Sequence, residues 1–452
     1  MRTFGSLDAQ TAAKSPGDGG HIAVGELHTD GSELRCELSA SGQVARFLTG
    51  DPLRVDYNQP IENVPPSLLA VPALAQVCPV AWATGADVSI DRIDPEFLLA
   101  LNRVRESLEH LYPSLVCGGE LEYETTSCPE CRDGTYTPSR STGKTALLFD
   151  GGVDSLATFV KHRRDEPTLV TLQRWTPESE PEDMRVVAQT ESFARRHGCE
   201  TAFVRSNVLS VLDVSALDAH FGTHLDGTWY NAVGQGLGVL GLCAPLCASR
   251  GIEQLTRAAP RTRELGGAWG SHPSLDSTVR WSGTACRYDG ADLTRQEKIE
   301  RIAQFVREKD PTVTIRDCPD RGGNCNQCEL CARTIVGLVV AGLDPRDHGY
   351  AVTDETFPAI RTKFETGRWN LAADEQFAWE TIRAAAPETS PVAFVGADDF
   401  FQWLADVDLS ELAAQPAPAL SHRFTRAIVG RSSDAICRSL SSAVRRFRRV
   451  FP

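Results

Sequence analysis

The sequence predicts an α/β fold built on a parallel sheet for the middle of this 452-residue chain, with an α+β N-terminal domain before it and a helical C-terminal region after it. Three observations carry the prediction. Short apolar strands alternate with amphipathic helices from Thr145 to Arg205; a glycine pair, Gly151-Gly152, sits between a strand and a helix; and four cysteines, Cys318, Cys325, Cys328 and Cys331, fall within fourteen residues.

Taken in order, residues 1–20 are rich in Gly, Asp, Ala and Ser and read as a disordered N-terminus. The α+β domain is expected over 21–143. Glu33–Leu38 and Val44–Leu48 alternate as strands do, and the three- to four-residue spacing of Leu68, Leu69, Val71, Leu74, Phe97, Leu101, Val104 and Leu108 predicts helix from Pro66 to Tyr112. The α/β domain is expected over 144–350, as strand Thr145–Phe149, helix Leu156–Arg163, strand Thr168–Gln173, helix Asp183–His197 and strand Thr201–Arg205. Strands joined through helices pair in parallel with right-handed crossovers. Trp229–Ser249 then reads as one long helix rich in small residues, and Arg295–Lys309 as an amphipathic one. Residues 351–452 continue as helices to a Pro-Ala linker, Gln415–Ala419, and a basic amphipathic tail.

Composition bounds the function. With 41% hydrophobic and 23% charged residues and no apolar run near the ~20 residues of a membrane helix, the chain reads as a soluble globular protein. Its first residues lack the apolar core of a signal peptide, which places it in the cytoplasm, and there fourteen cysteines argue for reduced thiols and metal rather than disulfides. The net charge of −14 argues against a surface that coats nucleic acid. Only six of the 46 basic residues are lysine, which suits either a high-salt cytosol or an arginine-favouring genome. The tail departs from this balance: Ser421–Pro452 holds eight arginines and one aspartate. It is expected to dock on an anionic partner or membrane surface, or to pack on the chain's own acidic domain.

The stretch Asp150-Gly151-Gly152-Val153-Asp154-Ser155 follows an apolar strand and opens a helix. Glycines there let a ligand approach the backbone, and free N–H groups at a helix start favour phosphate. It resembles the SGGxDS motif of the PP-loop ATPases, a HUP-like fold of adenine-nucleotide alpha hydrolases. The resemblance implies that Asp150–Ser155 binds ATP with Mg2+, that Gly151 and Gly152 donate N–H groups to the pyrophosphate, that Ser155 offers its hydroxyl, and that Asp154 steers magnesium or the loop. The family's first serine is Asp150 here. A carboxylate beside pyrophosphate repels it unless turned away or bridged by metal. The nearby Thr142-Gly143-Lys144-Thr145 copies the end of a Walker A loop, but Pro138 stands where a glycine is required and the segment precedes its strand, so it reads as a decoy.

Cys318-x6-Cys325-x2-Cys328-x2-Cys331 can close a tetrahedral thiolate shell around zinc, with an iron–sulfur cluster as the alternative. Arg316, Arg321 and Arg333 would offset its charge. The loop and this cluster, about 160 residues apart, together resemble the 7-cyano-7-deazaguanine synthase (QueC-like) family over Lys144 to Asp344. In that family the zinc is structural. The family's Arg-Asn pair corresponds here to Gln235-Gly236 and its Tyr-Pro-Asp-Cys stretch to Ser271–Asp276, which implies a divergent branch.

Other residues are more open. Arg295 and Lys298 share a helical face that could bind phosphate or an acyl-adenylate, or simply be solvated. His272 and Asp276 lie in the loop after the fourth strand of the α/β domain, either touching substrate or making a turn. Cys128-x-x-Cys131, with Cys117, is a half-site for zinc or a set of ordinary thiols. The resemblance implies hydrolysis of ATP to AMP and pyrophosphate to activate a carboxylate or carbonyl, such as a modified-base precursor, for attack by ammonia or an amine. Alternatives on the same reading are tRNA modification of the thiolation type, or a non-catalytic nucleotide-binding component of a complex.

Overall fold

A computed structural model describes residues 19–115, 118–125, 142–175, 180–225, 227–318, 323–369 and 371–414. The strands are β1 (His21–Asp30), β2 (Glu33–Ser41), β3 (Leu53–Asp56), β4 (Asp87–Arg92), β5 (Leu121–Thr125), β6 (Lys144–Leu148), β7 (Thr168–Arg174), β8 (Thr201–Ser206), β9 (Ile252–Ala258), β10 (Arg280–Trp281) and β11 (Thr284–Asp289). They form one eleven-stranded sheet in the order β10-β11-β9-β6-β7-β8-β3-β2-β1-β4-β5.

Within it, β11-β9-β6-β7-β8 is a parallel block. Its chain order climbs in one direction from β6 to β8 and in the other from β6 to β9 and β11, the arrangement of a doubly wound α/β sheet. The reversal between β6 and β9 is where such sheets open a crevice at the carboxyl ends of their strands. Beyond β8 the sheet continues antiparallel through β3, β2 and β1, then parallel through β4 and β5.

The strands from residues 21–143 are thus edge-joined to those from 144–350. One hydrophobic core runs on the same side of both, from Ile22 and Leu34 to Leu255 and Trp281. Helix Val71–Thr84 packs on helix Leu237–Leu242 so closely that a Cβ on Gly241 would stand 2.4 Å from that of Ala75. The opposite face of the parallel block is covered by helices Val153–His162 and Arg295–Glu308, through Leu147, Phe149, Leu156, Phe159, Ile302 and Phe305. A third core, centred on Phe357, Phe364, Trp379 and Phe400, holds helices Thr356–Glu365, Ala373–Ala385 and Ala397–Asp406 against Val336 and Val339.

Three sequence expectations are corrected. Val44–Leu48 is not a strand: Gly42–Phe47 is a 3-10 helix, since Val44 and Phe47 are buried at a spacing of three, not two. The helical stretch Pro66–Tyr112 is interrupted by β4, where Val88 and Ile90 alternate inward. Trp229–Ser249 is not one helix. A π-turn, Tyr230–Gly234, is followed by helices Leu237–Leu242 and Ala244–Arg250, broken at Gly236 and before Pro245. Among the described residues no helix is long and apolar enough to cross a membrane. The expectations for residues 1–18, for Cys117, Cys128 and Cys131, for Arg321 and for the tail Ser421–Pro452 fall outside the described residues.

Candidate functional site

At the carboxyl ends of the parallel strands lies a cleft of about 500 Å³, a size suited to a nucleotide-scale ligand. Seven basic residues and five acidic ones line it, so that in a chain of net charge −14 this surface is locally cationic. Asp150, Gly152, Asp154, Ser155, Arg295 and Lys298 all line it.

The glycine loop begins where β6 ends. Gly151 has φ of +78°, a conformation that costs other residues strain. A Cβ on Gly152 would stand 3.1 Å from Asp317 Oδ1 and 3.2 Å from Asp150 Oδ1. Val153, fully buried, starts the helix, and Gly152 is its N-cap. Asp150 is folded onto its own loop: its Oδ1 accepts from Gly152 N–H at 2.9 Å and from the Ser155 hydroxyl at 2.6 Å. It therefore holds donors that the sequence reading assigned to phosphate, filling the helix start with the chain's own anion.

Arg295 and Lys298 come from the first turn of helix Arg295–Glu308, fixed by a Thr294/Glu297 capping box. Lys298 is buried and donates to Asp154 Oδ1 at 2.7 Å and to the Ala259 carbonyl at 2.6 Å. Arg295 donates to Asp317 and to Thr334 Oγ1, and lies 3.9 Å from Asp154. Desolvation works to raise the Asp154 carboxyl, but Lys298 and Arg295 outweigh it and hold it below the usual carboxylate range. The pair read from sequence as a phosphate-binding or solvated face is thus half-spent on Asp154 and Asp317. The Walker-like decoy lies at the opposite end of β6, where Thr142 Oγ1 donates to the Gly251 carbonyl.

Cys318, Cys325, Cys328 and Cys331 converge, each offering a sulfur within 4.8 Å of the others. The Cys318–Cys328 and Cys325–Cys331 sulfur pairs are 3.8 and 3.9 Å apart. A tetrahedron with metal–sulfur bonds of about 2.3 Å has edges of roughly 3.8 Å, so these two pairs match a four-thiolate metal site of the kind that holds zinc. Backbone N–H groups of Cys328 and Cys331 donate to Cys325 and Cys328 at 3.3 and 3.4 Å, stabilising thiolate. Hydrogen bonding with Cys318 draws the Cys325 thiol far down, and the same neighbour pushes Cys331 up. Four sulfurs so close cannot all ionise without a cation between them. Asn324 pins the knuckle, accepting from Asp317 and Cys318 N–H and donating to the Ile315 and Gly349 carbonyls.

This centre is joined to the glycine loop. Arg316 N–H donates to the Gly151 carbonyl at 2.9 Å, and the Arg316 guanidinium donates to the Asp150 carbonyl. The segment that delivers Cys318 therefore clamps the loop's outer side.

His272 and Asp276 do not line the cleft. His272 caps the short helix Pro273–Asp276 through Ser274, and Asp276 is wholly buried behind Arg257. The sequence reading missed Arg257, Tyr230, Arg261, Trp269, Asp317 and Asp374, all of which line the cleft. Arg261 stacks 4.0 Å from the Trp269 ring and pairs with Asp374 of helix Ala373–Ala385 at 3.4 Å, which brings the C-terminal helices to the cleft mouth. Strand Ile252–Ala258 mixes polar and apolar residues and carries two charges, Glu253 and Arg257, so its sequence did not single Arg257 out. Compared with protein-family models, curated proteins and solved structures, the chain matches none of them.

Proposed function

We propose that the protein cleaves ATP to AMP and pyrophosphate to activate a small-molecule carboxylate or carbonyl for attack by ammonia or an amine. The observation that carries the reading is a strand-to-helix glycine loop with Asp154 and Ser155, opening into the same cleft as Lys298 and Arg295 at the switch point of a doubly wound sheet. The loop's backbone would orient the pyrophosphate part, with magnesium accompanying the triphosphate. Lys298 and Arg295, already oriented, would stabilise charge developing on the transferred group without reorganising. The four cysteines would hold zinc, whose role is to fix the Arg316–Asp317 segment against the loop. The energetic contribution is position and field rather than a reactive side chain.

A second reading, a nucleotide-binding component without turnover, is favoured by one observation: Asp150 occupies the Gly152 and Ser155 donors. Chromatography of nucleotide products after incubation with ATP, magnesium and candidate carboxylates separates the two. AMP with pyrophosphate, lost at least a hundredfold in Asp154→Asn, is the expected result. ADP with orthophosphate would exclude the first reading, and bound ATP recovered intact would favour the second.

A further inference from the structure

On the face of the sheet away from helix Val153–His162, the cleft wall buries an arginine. Arg257 is only 8% exposed, yet lines the cleft. The pairing Leu147↔Thr256 places it beside Leu148, one strand or ~4.8 Å from the chain that becomes the glycine loop. Leu148 packs into the core opposite that helix, so Arg257 approaches the cleft from the other side of the sheet.

Its setting is built. Nη1 donates to the Gln235 carbonyl at 2.6 Å, and Nε faces Asp276 Oδ2 at 3.5 Å. Those are its side-chain hydrogen bond and ion pair among the described residues, and neither uses Nη2. The Gln235 carbonyl is presented by the break between the π-turn Tyr230–Gly234 and the next helix, a distortion that often marks functional sites. Asp276 can stand behind Arg257 only because residue 236 is glycine: a Cβ there would meet Asp276 Oδ1 at 2.5 Å and the Gly270 carbonyl at 2.0 Å. Ser271 Oγ donates to Asp276 Oδ2 at 2.7 Å, while Asp276 Oδ1 has no hydrogen-bond partner among the described residues. Tyr230, close enough to Arg257 for the guanidinium to act on its hydroxyl, lines the same cleft, as do the apolar Leu209, Val239 and Leu242 and the polar Gln76, Gln173 and Arg174. Burying an arginine–aspartate pair is costly and gives no stability that a hydrophobic pair could not. A guanidinium held from behind with one nitrogen unspent, in a partly apolar cleft, is an arrangement for one oxyanion.

We infer that Arg257 recognises the acidic group of the second substrate, a small molecule carrying a carboxylate or phosphoryl group on an apolar or aromatic body. The inference rests on the reading that the glycine loop takes the pyrophosphate part of ATP, which leaves this second anion point for the other substrate.

Isothermal titration of the full-length, zinc-loaded protein tests it, with sodium pyrophosphate as the loop probe and benzoate and phenyl phosphate as probes of the inner wall. One of the two aromatic anions binds with pyrophosphate already saturating. Benzoate identifies a carboxylate site and phenyl phosphate a phosphoryl site. Arg257→Lys weakens that binding at least tenfold and leaves pyrophosphate unchanged. The double variant Arg257→Met with Asp276→Asn removes both charges together, and with a retained melting transition it must lose the same binding. Failure of both aromatic anions to bind, displacement of either by pyrophosphate, or unchanged affinity in Arg257→Lys overturns the inference. Aromatic-anion binding lost in Arg257→Lys, with no pyrophosphate binding in any form, would support the Arg257 site and sink the loop reading instead.

Discussion

The two ends of the cleft hold opposite arrangements of charge. At the loop end the anion-binding donors are filled from within, because Asp150 takes Gly152 N–H and the Ser155 hydroxyl. At the inner end the cation is restrained from behind by Asp276 and the Gln235 carbonyl, and its outward side is left to the cleft. One end must release an internal anion before it can take an external one; the other is poised. Within one cationic cleft, readiness to take an anion is thus set by where the protein's own carboxylates point.

The largest effect is expected where the loop end is scaffolded. Cys328→Ser removes one sulfur of four, and structural zinc contributes roughly 10–16 kcal/mol of binding free energy in small domains. The variant should lose stoichiometric zinc by emission spectrometry, melt at much lower temperature, and lose pyrophosphate binding because Arg316 no longer clamps Gly151. Inner-wall ligands should be affected less, since Arg257 is held by residues of the sheet and of the other face. A variant with full zinc and unchanged melting would break the claim that the loop end depends on the metal centre.

The inner end predicts a pH signature. Burial raises the Asp276 carboxyl from 3.8 to about 6, against the pull of Arg257 and Ser271. Between those values the folded chain keeps a proton that the unfolded chain has released, so stability rises as pH falls from neutral through 6 toward 4. Two pKa units correspond to about 3 kcal/mol. Asp310, held near 2 after desolvation is outweighed by Thr312 and Arg196, acts with the opposite sign and at lower pH. Melting curves from pH 4.5 to 8 for wild type and Asp276→Asn isolate the effect by difference. The variant should lack the gain on acidification, and parallel profiles would show that Asp276 does not titrate in this window.

How much of this was readable beforehand follows from how each site is put together. The cysteine cluster was legible because its four members are neighbours in sequence, close enough together to converge on one metal ion. The glycine loop was legible as a strand-to-helix turn, yet the orientation of the Asp150 side chain was not, because a carboxylate can point toward or away from its own helix start. Arg257 was hidden for a different reason: Gln235, Gly236, Ser271 and Asp276 are far from it in sequence and meet it only in the fold, at the break after the π-turn and at the short helix Pro273–Asp276. Likewise, the joining of the N-terminal strands to the parallel block rests on two residue pairs between β3 and β8, Val55↔Ser206 and Asp56↔Arg205, which no local pattern announces.

The smallest and most discriminating effect concerns Asp150. Replacing it by serine frees the Gly152 and Ser155 donors and removes a negative charge within a few ångströms of where pyrophosphate would sit. Two unit charges about 4 Å apart repel by up to ~4 kcal/mol at an effective dielectric near 20. The freed donors reach the open cleft and can be hydrated there, so the stability cost should stay near 1 kcal/mol, about that of one hydrogen bond. Pyrophosphate affinity in Asp150→Ser should therefore rise on the order of tenfold, the equivalent of about 1.4 kcal/mol once the lost repulsion is offset by rehydration of the loop. Asp150→Asn keeps the acceptor oxygen and the size but not the charge, so a gain seen there too assigns the effect to electrostatics rather than to space. Titrations with and without magnesium complete the test. If either variant weakens pyrophosphate binding only when magnesium is present, the carboxylate works through the metal as part of the site, and the contrast between a filled end and a poised end falls.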